Sequence, residues 1–307
     1  MRARAPGKIV LSGAYAVLEG APSIVAAVDR AVVADASREA SFVTDEVRAA
    51  IEAGVIERAP WFDASALRAS LPDGTSRKLG LGSSAAILVA SIAAASGERL
   101  QRAGAASLAD AVFPAAYAAH RKAQPSGSGI DVAASTFGGV ITATIRDGGL
   151  DVAPHPLPPG TVVEVFASPV SASTGDLIRK VRAFAAVDPP RYRRLLDDAA
   201  RGSRAAKAAA TTPDLVAAIS AQLDALAELG DLAGAGIVTP EAAAVRPRAA
   251  AEGALFGPSG AGGGDIAVYI GGAPSSAPLR ALAQSHGYTL LDLTIAAPGV
   301  TWLPSDL

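Results

Sequence analysis

The chain contains no cysteine, and it has only three histidines among its 307 residues. The absence of cysteine excludes a disulfide framework, a thiol nucleophile and a zinc site with cysteine ligands. The three histidines, His120, His155 and His286, are scattered and fit no metal-binding spacing such as HExxH. A metal centre built from histidine or cysteine side chains is therefore not expected.

Excess positive charge and long uninterrupted apolar runs are also missing. The formal net charge is −2, and the sequence shows no basic stripe of the kind that nucleic-acid-binding proteins carry. Half of the residues are hydrophobic, but every apolar run of membrane-spanning length is interrupted by glycine, proline or charge. No secretory leader is visible at the amino terminus. We therefore expect a soluble cytoplasmic protein, a monomer or homodimer, that binds neither nucleic acid nor membranes.

Short strand-like and longer helix-like patterns occur in both halves of the chain, which favours an α+β fold. Strands are predicted at 9–12, 23–28, 31–36, 138–145, 162–167, 265–270 and 288–293. Helices are predicted at 44–58, 85–95, 105–123 with an interruption at Pro114, 174–185, 190–210, 213–229 and 277–285, and Ala-rich helices continue to about 253. Four prolines and a glycine at 154–160 indicate a boundary near Leu157, which divides the chain into domains 1–157 and 158–307.

A loop rich in glycine and serine directly precedes a predicted helix. It reads Gly80-Leu81-Gly82-Ser83-Ser84-Ala85. Glycines allow close approach of the backbone to an anion, and the start of a helix directs free N–H groups towards it. The serines can cap the helix or reach Mg²⁺. Taken alone, the pattern is also explained by a serine-capped buried helix.

Two further segments place charged residues beside glycine-rich turns. Lys8 follows Pro6 and Gly7, which we interpret as a turn, and it begins a predicted strand that holds its charge in a fixed position. The segment 120–135 contains a basic helix end, a Pro-Ser-Gly-Ser-Gly loop and then Asp131. An aspartate here caps a helix, holds Mg²⁺, orients a lysine or accepts a proton, and this segment alone favours the cap.

A fourth segment, 257–265, has five glycines and ends in Asp265. Such runs often form flexible linkers. This run leads straight into a predicted strand, however, so a tight loop close to a ligand or another backbone explains it better.

Together and in this order, the segments resemble the GHMP kinase superfamily, which comprises small-molecule kinases. Residues 5–29, 80–86 and 258–265 resemble its three motifs. Within the superfamily, the segments 119–134, 173–181 and 259–265 are most similar to the phosphomevalonate kinases. The resemblance implies an α+β fold of two domains, the first like domain 2 of ribosomal protein S5 and the second ferredoxin-like, with the active site in the cleft between them.

The resemblance also implies a reaction and a set of site residues. The reaction is transfer of a phosphoryl group from ATP, with Mg²⁺, to 5-phosphomevalonate in the mevalonate pathway of isoprenoid biosynthesis. Residues 80–85 would bind the ATP phosphates, with Ser83 or Ser84 facing Mg²⁺. Lys8 and Asp131 are the candidate catalytic residues. The candidate substrate-binding residues are Lys8, Tyr15, His120, Lys122, Ser128, Gly260, Ala261 and Gly262.

One position departs from the family pattern. After the first strand the family usually has Gly-Glu-Tyr or Gly-Glu-His, whereas this chain has Gly13-Ala14-Tyr15. The missing carboxylate leaves two alternatives open. One is a mevalonate kinase or another GHMP kinase that phosphorylates a hydroxyl group, and the other is a catalytically weak nucleotide-binding protein on the same scaffold.

Overall fold

The computed structural model describes residues 1–70, 76–102 and 104–304. The first half contains β1 (Arg2–Ser12), β2 (Ser23–Glu39), α1 (Asp45–Glu52), β3 (Pro60–Asp63), β4 (Arg68–Ser70), β5 (Ser76–Lys78), α2 (Ser83–Arg102), α3 (Leu108–Ala123), α4 (Ile130–Phe137), β6 (Val140–Arg146) and β7 (Gly149–Pro154). The second half contains β8 (Val162–Ala167), α5 (Thr174–Val187), α6 (Pro189–Ala208), α7 (Thr212–Leu232), α8 (Pro240–Ala251), β9 (Leu255–Pro258), β10 (Ile266–Gly271), α9 (Ala277–Ser285), β11 (Thr289–Leu290) and β12 (Thr301–Leu303).

Two antiparallel sheets organise these elements. The first has the order β12-β1-β2-β6-β7, with β3 also paired to β2, and the second has the order β11-β8-β10-β9. Strands β4 and β5 form a separate hairpin. Helices and strands are mixed in both halves, which confirms the α+β prediction. Since β12 returns to pair with β1, the end of the chain belongs to the first sheet, and the boundary near Leu157 stays a prediction.

Helix α2 forms the centre of the first core. Its apolar side chains, with Leu88 and Ile92 fully buried, pack against β1 and β2. The second sheet buries aromatic side chains, and the rings of Phe256 and Tyr288 meet edge to face with centroids 5.1 Å apart. A third cluster combines Tyr15 and Ala16 with apolar residues of α5, α6 and α7. The segment after β1 is thereby fixed against helices of the second half.

Several predicted boundaries were wrong. Pro6 and Gly7 lie inside β1, at a register shift relative to β2, and do not form a turn before it; a bulge accommodates proline within a strand. The strands predicted at 23–28 and 31–36 are one continuous strand, β2, because β1 pairs along both parts. Helix α3 continues through Pro114, since packing against α1, α2 and α4 outweighs the lost backbone hydrogen bond.

Other elements are shorter than predicted or were not predicted. Helix α1 ends at Glu52, and β11 covers only two residues of the predicted strand at 288–293. Helix α4 was missed, although it carries Asp131 in its first turn. Among the described residues, no helix is both long and apolar enough to cross a membrane.

Candidate active site

The loop before α2 has a backbone conformation that requires glycine at two positions. Gly80 and Gly82 have φ angles of +72° and +74°, which side chains other than glycine rarely adopt. The helix begins at Ser83, and its first hydrogen bond runs from the Ala86 N–H to the Gly82 carbonyl, at 3.1 Å. The first N–H groups of the helix therefore have no intrahelical acceptor and can bind an anion.

Lys8 lies directly against this loop. Its backbone N–H donates to the Leu81 carbonyl at 2.8 Å, and its Nζ donates to the Gly80 carbonyl at 3.3 Å. A Cβ placed on Gly82 would lie 2.9 Å from Cγ of Lys8. The bulge in β1 thus brings the lysine charge to the start of α2.

Two carboxylates, Asp131 and Asp265, act on Lys8. Burial lowers the pKa of Lys8, and the attraction of Asp131 and of Asp265 opposes this shift. Burial raises the pKa of Asp265, whereas the Ala172 N–H and neighbouring positive charges, including Lys8, favour its ionised form. The Asp131 carboxylate also accepts a hydrogen bond from the Val132 N–H at 2.9 Å. The site therefore holds a lysine between two acids in a partly desolvated environment.

The glycine-rich loop after β9 is fastened to the first motif at two points. Ser259 Oγ accepts from the Val10 N–H at 2.9 Å and donates to the Val10 carbonyl at 3.1 Å. The Tyr15 hydroxyl, which is buried, donates to the Ala261 carbonyl at 2.7 Å. Burial raises the pKa of Tyr15, so the phenol stays protonated and keeps this donor. These bonds hold the third motif against β1 and the turn that follows it.

Asp265 connects the third motif, residues 258–265, to the loop before α2. A Cβ placed on Gly80 would lie 2.6 Å from Cβ of Asp265. The Asp265 backbone N–H donates to the Val170 carbonyl at 2.7 Å, and its Oδ1 accepts from the Ala172 N–H at 3.2 Å. Asp265 was recognised in the sequence only as the end of a motif. Its long-range contacts make it part of the site.

A cavity of about 550 Å³ opens beside Lys8. It brings together seven of the predicted site residues: Lys8, Tyr15, His120, Ser128, Asp131, Gly260 and Ala261. Ala14, the position of the missing family glutamate, also lines it. Residues 80–85 do not line this cavity; Lys8 touches both the cavity and their loop. The geometry thus separates the loop before α2 from the cavity, with Lys8 at their junction.

Two predicted substrate-binding residues have other surroundings. Lys122 does not line the cavity, because its half-exposed ammonium forms an ion pair with Glu52 at 2.6 Å. Gly262 is buried against Ile237; a Cβ placed on it would lie 2.2 Å from the Ile237 carbonyl oxygen. The resemblance of segment 119–134 to the substrate-side loop of the phosphomevalonate kinases predicts a binding role for Lys122, but its position on α3 turns it towards α1. Neither contact supports a direct role with substrate.

Arg182 on α5 lines the cavity and was not predicted from the sequence. Its Nη1 donates to Ser126 Oγ at 3.2 Å, across from α5 to the loop after α3. In the sequence it is one of many arginines on amphipathic helices, so no local signal marked it. Only the folded arrangement places its charge at the cavity.

The donor set at the loop suits Mg²⁺ bound together with a phosphate ligand. Among the described residues, no group of three or more acidic or histidine side chains could hold a metal ion alone. Mg²⁺ commonly binds through one or two protein oxygens and the phosphates of its substrate. The partly buried hydroxyl-bearing residues Ser83 and Ser84, at the start of α2, provide such oxygens.

No family model matches the chain. A phosphomevalonate kinase from Streptomyces sp. strain CL190 is 29% identical, over 96% of this chain and 97% of that protein. Among solved structures, a Lin0012 protein from Listeria innocua has a TM-score of 0.78 and 21% identity, covering 98% of this chain and 99% of that one. Streptococcus pneumoniae phosphomevalonate kinase, solved in complex with phosphomevalonate and AMPPNP, has a TM-score of 0.73 and 15% identity, covering 96% and 99%. The similarity extends over nearly the whole length of all these chains, which confirms the predicted resemblance and fold.

Proposed function

We propose that this chain, a phosphotransferase with the GHMP kinase fold that resembles phosphomevalonate kinase, transfers the γ-phosphoryl group of ATP to 5-phosphomevalonate. The observation that carries the proposal is the position of Lys8. It lies between the loop before α2 and the cavity that contains Asp131, Ser128 and Gly260. A fixed positive charge at this junction faces both the donor phosphates and an anionic acceptor.

Residues 80–85 hold the nucleotide phosphates in this proposal. The left-handed Gly80 and Gly82 allow the backbone to approach the phosphates, and the start of α2 supplies N–H donors. Ser83 or Ser84 would hold Mg²⁺, which when bound would neutralise charge on the phosphates. Lys8 contributes a further positive charge next to this loop.

The acceptor in this proposal is the phosphate of 5-phosphomevalonate. One of its oxygens attacks the γ-phosphorus, the bond from the γ-phosphorus to the β,γ-bridging oxygen breaks, and ADP leaves with that electron pair. A phosphate monoester has a second pKa of about 6, so at neutral pH it is already largely a dianion and has no proton to remove. The main obstacle is repulsion between two anions, which Lys8 reduces.

Asp131 then has a task other than removing a proton. Its negative charge favours the ammonium form of Lys8, which burial disfavours. We assign to Asp131 the role of keeping Lys8 charged and oriented. Phosphorylation of a hydroxyl group would instead require a general base, and Asp131 is the carboxylate that lines the described part of the cavity.

The proposal is tested by incubating the purified protein with ATP and Mg²⁺ and with either 5-phosphomevalonate or mevalonate, and by measuring ADP release. Turnover with 5-phosphomevalonate supports the proposal. Turnover with mevalonate alone would replace the acceptor and give Asp131 the role of a base. If neither compound is turned over, a catalytically weak nucleotide-binding protein becomes the better account. The first variant to make is then Ala14→Glu, which restores the carboxylate that the family usually has at this position.

A further inference from the structure

Gln222 is a polar residue on the apolar face of α7. Ile219 and Leu226, three residues before it and four after it, are buried, and Gln222 itself is 2% exposed. Its Oε1 accepts two hydrogen bonds, from Ser12 Oγ at 2.9 Å and from the Gly13 N–H at 3.2 Å. Its Nε2 has no hydrogen-bond partner within the described part of the chain. The buried amide thus serves the end of β1 and leaves its own donor unused.

The Gly13 N–H determines which way the Gln222 amide points. A backbone N–H can only donate, so it must face the side-chain oxygen, because the reversed amide would bring two donors together. A buried donor without an acceptor destabilises the fold, and the unpaired Nε2 is therefore a cost of this arrangement. A leucine or methionine at the same position would avoid that cost. The glutamine thus supplies more than packing, namely an acceptor for residues 12 and 13.

A second polar side chain, Ser203 of α6, holds the chain at the start of β2. Ser203 is fully buried, and its hydroxyl donates to the Pro22 carbonyl. Helices α6 and α7 approach closely at this point, because a Cβ placed on Gly202 would lie only 2.8 Å from Cβ of Gln222. The two helices of the second half therefore hold both ends of the segment 13–22, which connects β1 to β2.

The segment 13–22 forms part of the cavity wall. Four of its residues line the cavity: Ala14, Tyr15, Val17 and Leu18. Tyr15 has a φ angle of +60°, a strained conformation that a residue other than glycine keeps only when its surroundings fix it. Its hydroxyl is fixed by the Ala261 carbonyl, and Gln222 fixes the backbone at Gly13, two residues before it. The strained tyrosine is thus held from the third motif on one side and from α7 on the other.

We propose that Gln222 and Ser203 are positioning residues for the reaction, which fix the segment 13–22 so that Tyr15 keeps its place in the wall that faces the acceptor. This proposal rests on the proposed function, because the cavity must hold the acceptor for its wall to matter. Neither side chain lines the cavity, so both act through the segment that they hold. The loop before α2 is fastened separately, by Lys8. Acceptor binding, and not ATP binding, therefore depends on Gln222 and Ser203.

Gln222→Met removes the acceptor oxygen with little change in side-chain size. We expect the affinity for 5-phosphomevalonate, measured by calorimetry, to fall by about fivefold, the change that one net hydrogen bond gives, while the affinity for ATP stays at the wild-type value. Gln222→Glu keeps an oxygen at the same place and should lose less affinity. Ser203→Ala is a smaller change, which should fold even if Gln222→Met does not, and it should also weaken acceptor binding. Amide hydrogen exchange of the segment 13–22 should be faster in Gln222→Met and in Ser203→Ala.

Thr212→Val is the matched control, since Thr212 is a buried residue of α7 that bonds to Thr161 at 2.9 Å and does not line the cavity. It should lose stability but keep the wild-type acceptor affinity and the wild-type exchange of the segment 13–22. Wild-type acceptor affinity in Gln222→Met and Ser203→Ala, or an equal loss in Thr212→Val, would overturn the positioning role. If the wild-type protein does not bind 5-phosphomevalonate, the proposed function fails instead. The exchange rates then decide alone: faster exchange supports the hold on the segment 13–22, and unchanged exchange overturns it.

Discussion

The aliphatic chain of Lys8 fills the space that a side chain at position 82 would occupy. A Cβ on Gly82 would lie 2.9 Å from Cγ and 3.0 Å from Cε of Lys8. The φ angle of Gly82 is +74°, so conformation and space both require glycine. The loop before α2 and the lysine of β1 are therefore fitted to each other, and a change in one displaces the other.

Gly82→Ala should weaken ATP binding by about tenfold or more, equivalent to about 1.4 kcal/mol, because the new methyl group displaces Lys8 and the loop together. Calorimetric titration with ATP checks this. Gly54→Ala is the control, since Gly54 has φ +67° but nothing within 4 Å of its added Cβ. Both variants should lose about 1 kcal/mol of stability from the left-handed backbone. Equal ATP affinity in the two variants would contradict the fit between Gly82 and Lys8.

Lys8→Met should lower kcat by about 10²–10³-fold, the effect expected when one preorganised group that stabilises transition-state charge is removed. Met keeps most of the aliphatic packing beneath Gly82, so the fold should be retained. Steady-state kinetics measure kcat, and thermal unfolding measured in parallel checks that the fold is retained. Lys207→Met, at an exposed position on α6, serves as the control and should keep the wild-type kcat. A Lys8→Met enzyme with near-normal kcat would exclude a role for this charge in the reaction.

The pH dependence of turnover follows from the lowered pKa of Lys8. The ammonium is present below its pKa, and burial brings that pKa below its ordinary value of 10.5, so activity should fall on the alkaline side earlier than a solvated lysine would allow. Asp265→Asn removes a charge that raises this pKa but retains an oxygen to accept from Ala172. Its alkaline limb should therefore move to lower pH, as measured by kcat/KM profiles.

The control for this profile is Asp224→Asn, because Asp224 is exposed and pairs with Arg246 away from the site. It should leave the alkaline limb in place. A profile of Asp265→Asn that coincides with the wild-type profile would show that Asp265 does not act on Lys8 electrostatically.

Tyr15→Phe removes the hydrogen bond to the Ala261 carbonyl and should loosen the third motif where it borders the cavity. A net loss of about 1 kcal/mol corresponds to about a fivefold rise in the KM of the acceptor. Tyr269→Phe is the matched control, since its hydroxyl donates to the Ala273 carbonyl at 3.0 Å outside the cavity. The control should lose similar stability with unchanged KM. If both variants keep the wild-type KM, the Tyr15 bond does not position the loop for substrate.

The conformation of the loop before α2 could be predicted from the sequence because its signal is local. Two glycines separated by one residue, followed by two serines and an apolar helix, determine both backbone conformation and N–H direction, as Gly80, Gly82 and Ser83 show. The same holds for most helices, whose spacing and caps are encoded within a few residues. The resemblance to the GHMP kinases then predicts that the three motifs contribute to one site.

The remaining features depend on contacts between distant residues. Pro6 and Gly7 resemble a turn, yet pairing of β1 with β2 over its whole length makes them a bulge. Lys122 and Arg182 are both cations on helices, and only the packing of α3 and α5 turns Lys122 towards Glu52 and brings Arg182 to the cavity. The contact of Asp265 with Gly80 joins residues 185 positions apart (265 − 80), which no local pattern encodes.

The identity of the phosphorylated product tests the central claim most directly. The protein is incubated with ATP, Mg²⁺ and 5-phosphomevalonate, and the product is examined by ³¹P NMR, which distinguishes a diphosphate from two separate phosphate monoesters. We predict a new diphosphate formed in equal amount to ADP, since the acceptor phosphate attacks the γ-phosphoryl group beside Lys8. A product with two separate monoester phosphates would contradict the account, and so would turnover only in a parallel incubation in which mevalonate replaces 5-phosphomevalonate.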